Sequence, residues 1–277
     1  MKTVRLPTGE SVPALGMGTW NIGDQRNTRA EEIATIQRGI DLGLRLIDTA
    51  EMYGEGASER LIGEAIAGRR DSVFLVTKVY PHNATRRGAI AACERSLTRL
   101  GIDCIDLYLL HWRGEVPFSE TLGAFEELQR QGKIRHWGVS NFDVDDMQEL
   151  LGTPGGERVA TNQVLYNLTT RGVEWDLLPA CRARGIPLMA YSPIGQARLT
   201  HDRRLQKFAR RHAMTPAQVA LAWLLAKDDV IVIPKASSRA HLEENFSALA
   251  HPLDAAMQAE LDTLFPPPSG PSVLEMI

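Results

Sequence analysis

The sequence predicts an α/β fold in which eight strand–helix units close into a (β/α)8 barrel, and three observations support this prediction. Short apolar runs of strand length alternate with segments of helical periodicity. The same strand-then-helix unit recurs eight times in succession at nearly even spacing. Strands joined by helices pair in parallel because each helix supplies a crossover, and 277 residues suit one such barrel. An open doubly wound sheet is the alternative.

The predicted elements can be followed along the chain. Residues 4–12 predict a small hairpin before the barrel, because Pro7-Thr8-Gly9 is turn chemistry between two short apolar arms. The helices show apolar residues at helical spacing, as in Ile33, Ile36 and Ile40. The eight predicted barrel strands are residues 15–19, 44–48, 73–78, 105–111, 134–140, 159–163, 186–191 and 231–233.

Two segments depart from the regular repeat. The seventh connection, roughly residues 192–215, is long enough to form a lid or an added helix. Residues 257–264 are amphipathic and end at Pro266-Pro267-Pro268, and the short tail beyond is expected to lie over one barrel mouth. No segment has the composition of a linker, so residues 1–277 are predicted to form a single domain.

Composition narrows the class of protein. A formal net charge of −3 predicts neither a nucleic-acid groove nor an anionic membrane surface as partner. The first residues contain no signal-like apolar segment, and no apolar run is long enough to span a membrane. The three widely spaced cysteines form no Cys-x-x-Cys pair, which favours a reducing, cytoplasmic setting. The oligomeric state cannot be predicted.

Four polar side chains fall at the carboxyl ends of predicted strands, where the reactive groups of such barrels lie. Asp48 ends the second strand, Lys78 the third and His111 the fourth, while Tyr53 lies in the loop after Asp48. Ser58 is predicted to cap the helix that follows this loop. Each polar residue alone could be a surface or core residue. Four titratable groups at one barrel mouth together predict an active site.

A wider set of motifs surrounds these residues. They are Asp48-Thr49-Ala50 with Tyr53, Lys78 after Leu75-Val76-Thr77, His111-Trp112, Gly138-Val139-Ser140-Asn141 and Ile233-Pro234-Lys235. With these motifs the chain resembles the aldo-keto reductase family over essentially its full length, and within it a bacterial methylglyoxal-reductase-like branch. The resemblance implies NADPH-dependent reduction of aldehydes and ketones, including small dicarbonyls such as methylglyoxal, to alcohols.

The residue chemistry fits this reaction. Hydride transfer to a carbonyl leaves an alkoxide, which needs a proton donor and a cationic neighbour. Tyr53 is the expected donor, and an adjacent Lys78 ammonium is expected to lower the phenol pKa from its usual value of about 10 towards neutrality. Asp48 is expected to pair with Lys78. His111 is expected to bind and orient the substrate oxygen.

The resemblance also implies a cofactor site. Tyr191 would stack on the nicotinamide, with Ser140, Asn141 and Gln163 holding its carboxamide. Lys235 would bind the adenosine 2′-phosphate, which favours NADPH over NADH. The remaining cofactor residues are expected to be Gly18 and Thr19 near the first strand, Ser192, Ile194 and Gly195 at the pyrophosphate, Ser237, Ser238, Arg239 and His241 near Lys235, and Glu244 and Asn245 at the adenine.

Apolar side chains at the same mouth are expected to form the substrate pocket, namely Trp20, Met52, Tyr80, Trp112 and Phe142. For Tyr80 and Phe142 packing within the barrel rim is an equally good interpretation. An apolar pocket with few charges accepts aromatic and small aliphatic carbonyls without strong discrimination.

Other classes of function remain as alternatives. Gly16-Met17-Gly18 resembles the start of a dinucleotide fingerprint, but Asn21 replaces its third glycine and no helix is predicted there. No metal-hydrolase or serine-hydrolase motif occurs, so no metal site is predicted. A barrel that binds nucleotide without catalysis, as a redox sensor or regulator, is the main alternative, and a metal-dependent barrel hydrolase is the other.

Overall fold

A computed structural model of the protein describes residues 1–24 and 28–277. Within these residues eight parallel strands form one sheet in the order β10-β9-β8-β7-β6-β5-β4-β3, and the two remaining strands form a separate hairpin. The barrel strands are β3 (Met17–Gly18), β4 (Leu46–Asp48), β5 (Phe74–Val79), β6 (Ile105–Leu110), β7 (Ile134–Ser140), β8 (Asn162–Leu165), β9 (Leu188–Tyr191) and β10 (Val230–Val232).

The sheet closes on itself between its first and last strands. Leu15 forms a parallel bridge with Val232, and Gly18 forms one with Lys235. A Cβ atom on Gly18 would lie 2.8 Å from the carbonyl oxygen of Ile233, so only glycine fits this seam. The predicted (β/α)8 barrel is therefore confirmed, and the open sheet is excluded. Gly18 owes its identity to barrel closure, which also explains the partial fingerprint around it.

Helices follow the strands in the alternation that the sequence predicts. Within the described part of the chain they are α1 (Arg29–Leu42), α2 (Ala57–Ala65), α3 (Arg86–Leu100), α4 (Phe118–Arg130), α5 (Val144–Gly152), α6 (Leu177–Arg182), α7 (Arg203–Arg211), α8 (Pro216–Leu225), α9 (Arg239–Ser247) and α10 (Ala255–Leu264). The long seventh connection contains a 3-10 segment, Gly195–His201, and the added helix α7. All six residues of β5 and of β6 are buried, as expected for parallel strands covered on both faces.

The hairpin and the tail lie at opposite ends of the barrel. Strands β1 (Thr3–Arg5) and β2 (Ser11–Pro13) pair antiparallel, as predicted, and Glu10 between them binds Arg135 near the start of β7. The tail reaches the other mouth, where Ile277 lines a cavity at the carboxyl ends of the strands. In the residues described, no helix combines the length and apolar character needed to cross a membrane.

Two local predictions are wrong. The sixth strand was expected at residues 159–163, but β8 begins at Asn162. The main chain of Ala160 already donates to the Trp137 carbonyl at 2.9 Å, so the chain joins β7 shortly before the regular strand begins. Ser58 does not cap α2, whose N-cap is Gly56 in a left-handed conformation. The Ser58 hydroxyl instead donates to Thr19 Oγ1 at 2.8 Å and accepts from Thr49 at 3.0 Å, inside the barrel wall.

Candidate active site

One cavity of about 480 Å³ opens at the carboxyl ends of the strands. Its volume lies in the range of small-molecule and cofactor sites. The cavity extends from the loop after β4 to α9, so most of the predicted site residues share one continuous space. Those that line it are Gly18, Thr19, Trp20, Asp48, Met52, Tyr53, His111, Ser140, Asn141, Gln163, Tyr191, Ser192, Ile194, Lys235, Ser237, His241, Glu244 and Asn245.

Lys78 lies beneath the cavity floor, fully buried on β5. Its ammonium donates to Asp48 Oδ2 at 2.9 Å, to the Thr49 carbonyl at 2.8 Å and to the Tyr53 hydroxyl at 3.1 Å. An ammonium has three N–H donors, so all of them are used. Burial acts to lower the Lys78 pKa, but the charges of Asp48 and Tyr53 outweigh it, and the pKa is raised. Lys78 is therefore a cation at neutral pH.

The hydroxyl of Tyr53 lies between Lys78 and the cavity. Because the oxygen accepts from the ammonium, its own O–H is left to donate towards the cavity. The expected fall in the phenol pKa is wrong. Burial raises the Tyr53 pKa by more than Lys78 lowers it, and Asp48 raises it further. Tyr53 is therefore a neutral phenol, which is the protonation state a proton donor needs.

Asp48 joins two side chains from distant parts of the sequence. One carboxylate oxygen accepts from Lys78, and the other accepts from Gln163 Nε2 at 2.8 Å. Burial raises the Asp48 pKa, while Lys78 and Gln163 act in the opposite sense. The main chain of Asp48 is fixed by Thr19, whose hydroxyl donates to the Asp48 carbonyl at 2.9 Å. The carboxylate thus has a defined orientation before any ligand binds.

His111 provides a neutral imidazole on the cavity wall. Burial, followed by the Lys78 charge, lowers its pKa to about 2. Its ring meets the Tyr53 ring edge-on, with centroids 6.1 Å apart. Among the residues described, Nδ1 of this histidine has no hydrogen-bond partner although it is buried. An uncharged ring next to Tyr53 has one N–H that can donate a hydrogen bond to a carbonyl oxygen.

Amide and hydroxyl groups line the wall next to these residues. Asn141, in a left-handed conformation, donates to the His111 carbonyl at 3.1 Å and accepts from the Tyr191 hydroxyl at 2.9 Å. Ser140 Oγ donates to the Gln163 carbonyl at 2.9 Å. The group offers donors and acceptors beside an aromatic ring, which is the chemistry that a nicotinamide carboxamide and its ring require.

The far end of the cavity is more exposed. Lys235, Ser237 and His241 line it after β10, and Glu244 and Asn245 line it on α9. Within residues 1–24 and 28–277, the Lys235 ammonium is in no ion pair. Three predicted cofactor residues lie outside the lining. Gly195 is buried in the loop, Ser238 caps α9 by accepting from the His241 N–H, and Arg239 is exposed.

A sequence profile described as the Aldo/keto reductase family matches residues 14–265. The chain belongs to the aldo/keto reductase family. It is 49 % identical to methylglyoxal reductase YeaE of Escherichia coli (strain K12), with 100 % of this chain and 99 % of that protein covered.

Solved structures agree with this assignment. An aldo/keto reductase from Klebsiella pneumoniae in complex with NADP and acetate superimposes with a TM-score of 0.97 at 48 % identity, covering 100 % of this chain and 99 % of that one. A crystal structure of aldo-keto reductase from the same species in complex with NADPH matches with the same TM-score, identity and coverage.

The substrate side of this aldo/keto reductase differs from the prediction. Trp20, which is 42 % exposed, and Met52 line the cavity, whereas Trp112 and Tyr80 lie outside its lining and pack edge-on against each other. Phe142 does not line the cavity either, which agrees with the packing interpretation. This ring is fully buried and packs on Phe118, because the turn after β7 directs it into the core.

Some lining residues of this family member had no motif in the sequence. Gln196, Ala197 and Thr200 come from the 3-10 segment after β9, and Ile277 comes from the tail. Only two features of the sequence indicated that these residues could reach the cavity. They are the length of the seventh connection and the position of the tail after three prolines. Gln196 and Ala197 both have positive φ values, of 53° and 67°, which no propensity argument predicts.

Proposed function

We propose that this protein reduces aldehydes and ketones to alcohols with NADPH, with small dicarbonyls such as methylglyoxal among its substrates. One observation carries the proposal: the Lys78 ammonium is 3.1 Å from the Tyr53 hydroxyl, and that hydroxyl faces the cavity. A proton donor supported by a buried cation is what carbonyl reduction requires.

The bound cofactor supplies hydride to the carbonyl carbon. Tyr53 then gives its proton to the carbonyl oxygen, which becomes the alcohol hydroxyl. The phenolate left on Tyr53 is next to the Lys78 ammonium, which stabilises the new negative charge. His111 holds the carbonyl oxygen by a hydrogen bond as a neutral ring, because its pKa of about 2 keeps it unprotonated. Asp48 keeps Lys78 charged and in place.

The cavity supports NADPH as the cofactor. Tyr191 offers a ring for the nicotinamide, and Ser140, Asn141 and Gln163 offer groups for its carboxamide. Lys235 lies at the opposite end of the same cavity, where a 2′-phosphate would give it an anionic partner. NADPH is therefore proposed over NADH. The Klebsiella pneumoniae structures with NADP and NADPH support this assignment.

The substrate class follows from the rim and from the relatives. Trp20 and Met52 provide an apolar entrance next to Tyr53 and His111. The Escherichia coli relative is named a methylglyoxal reductase, and a Bacillus subtilis relative of 33 % identity is named a glyoxal reductase.

Cys93, Cys104 and Cys181 are all free thiols, which supports a cytoplasmic location.

The decisive experiment follows NADPH absorbance with a panel of aldehydes, ketones and methylglyoxal, and repeats the assay with NADH. We expect turnover with NADPH and a lower kcat/KM with NADH. The alternative, a barrel that binds nucleotide as a redox sensor, predicts NADPH binding with no carbonyl-dependent oxidation. Absence of turnover on the whole panel would favour that alternative, and a preference for NADH would contradict the role of Lys235.

A further inference from the structure

The side-chain amide of Gln163 connects two parts of the site that the proposed function treats separately. It lines the cavity next to the residues proposed for the carboxamide, yet it is only 1 % exposed. Its nitrogen donates to Asp48 Oδ1 at 2.8 Å, across 115 positions in sequence. Asp48 in turn accepts from Lys78 on its other oxygen. The Gln163 amide thus connects the residues proposed to bind the carboxamide with the Asp48–Lys78 pair.

The orientation of this amide is determined by chemistry. A carboxylate can only accept hydrogen bonds, and of the two ends of an amide only the nitrogen donates. If the amide were reversed, its oxygen would face Asp48 Oδ1 and the two acceptors would repel. The nitrogen also contacts the sulfur of Met189, a weak acceptor. The amide nitrogen therefore donates to groups of the protein. No described residue donates a hydrogen bond to the amide oxygen.

We propose that Gln163 is a positioning residue that couples cofactor binding to Asp48: its nitrogen holds the carboxylate, which leaves its oxygen to accept from the carboxamide of the cofactor. The inference rests on the proposed function, because it needs NADPH to bind in this cavity. A cofactor seated on the amide oxygen keeps the nitrogen directed at Asp48, and a correctly ionised Asp48 keeps the oxygen directed at the cofactor.

The coupling predicts a specific effect of the Asp48→Asn substitution on cofactor binding. Lys78 still needs an acceptor, so the amide oxygen of the new side chain would turn to it and the amide nitrogen would face Gln163. Gln163 would then rotate its oxygen to that nitrogen and present its own N–H groups to the cofactor. Asp48→Asn should therefore weaken NADPH binding, and the part of this effect that passes through Gln163 should be lost when Gln163 is replaced.

The test is a double-mutant cycle on the dissociation constant of NADPH, measured by fluorescence titration and so independent of turnover. Asp48→Asn should raise this constant about fivefold in the wild-type background, the usual effect of one hydrogen bond. In the Gln163→Met background, where both amide atoms are gone, the same change should alter it by less than about twofold.

A second cycle provides the matched control. Ser140→Ala removes another group next to the carboxamide position but makes no contact with Asp48, so the effect of Asp48→Asn should persist in that background. Equal effects of Asp48→Asn in the wild-type and Gln163→Met backgrounds would overturn the coupling, as would no effect in wild type.

Thermal unfolding establishes that each variant folds, and Gln163→Leu replaces Gln163→Met in the cycle if Gln163→Met does not fold. Wild-type protein that fails to bind NADPH would contradict the proposed function itself, a result distinct from a failed cycle.

Discussion

The two ends of the cavity are built in different ways. At the end with Asp48, Lys78 and His111, the functional groups are at most 6 % exposed, and hydrogen bonds between several strands hold Asp48 and Lys78. At the end with Lys235 and His241, the side chains are half-buried or exposed and extend from a single loop and helix. The first end is fixed before any ligand arrives, whereas the second depends on the ligand for its partners.

This difference indicates a division of tasks. Groups held in a low-dielectric network stabilise developing charge strongly, because no reorganisation is needed during the reaction. Exposed cations bind an anion more weakly, and salt screens them. Substitutions at the buried end should therefore reduce kcat or stability by large factors, and substitutions at the exposed end should alter cofactor affinity by small ones.

The largest effect is expected for Tyr53→Phe. Removal of the proposed proton donor should lower kcat for aldehyde reduction by about 10²- to 10⁴-fold while NADPH still binds. Steady-state kinetics together with NADPH titration would measure this. Tyr108→Phe is the matched control, because that buried hydroxyl has no partner among the residues described. Near wild-type turnover by Tyr53→Phe would show that another group donates the proton.

Lys78→Met should affect stability as well as activity. It leaves the Asp48 carboxylate buried without its cation, and breaking a buried ion pair costs about 3–5 kcal/mol of unfolding free energy. Chemical denaturation would detect the loss, and adding Asp48→Asn should recover part of it. Unfolding of Lys78→Met at the same denaturant concentration as the wild type would show that the Lys78–Asp48 ion pair contributes little to the free energy of unfolding.

His111 gives the buried end a pH dependence. Its pKa is about 2 in the folded protein, and in the unfolded chain it returns to the usual value of about 6.5. The unfolded state alone therefore gains this proton as the pH falls below about 6.5, and stability drops by about 2 kcal/mol at pH 5. His111→Gln, which cannot titrate, should show a correspondingly smaller drop between pH 7 and pH 5 in denaturation experiments. Parallel losses in the two proteins would contradict the neutral buried ring.

The smallest effect is expected at the exposed end. Lys235→Met should raise the NADPH dissociation constant about tenfold and leave that of NADH nearly unchanged, because only NADPH carries the 2′-phosphate. The difference should shrink as salt is added. Lys207→Met, an exposed lysine outside the cavity lining, is the control. A similar loss for both cofactors would place the phosphate elsewhere.

The barrel was predictable because its signals are repeated and local. Each unit carries an apolar run and a helical stripe, so an error in one, such as the late start of β8, does not change the fold. The positions of Asp48, Lys78 and His111 were predictable for the same reason, since the ends of parallel strands meet at one mouth.

The details that were missed depend on contacts between distant residues. The Tyr53 pKa depends on how completely the fold removes water from the phenol, which strand position does not reveal. The Asp48–Gln163 hydrogen bond joins strands that are four places apart in the sheet and meet across the barrel interior. Whether Phe142 enters the pocket or the core depends on the turn after β7, which brings its ring against Phe118.

All three protons of the Lys78 ammonium bind oxygens of the protein, so this cation never meets a substrate directly. Choice among carbonyl compounds therefore falls to the entrance, where Trp20, Met52 and Ile277 come from three separate segments. Those segments can be redesigned for bulkier or more polar aldehydes while Tyr53 and Lys78, the proposed source of the proton, stay unchanged beneath them.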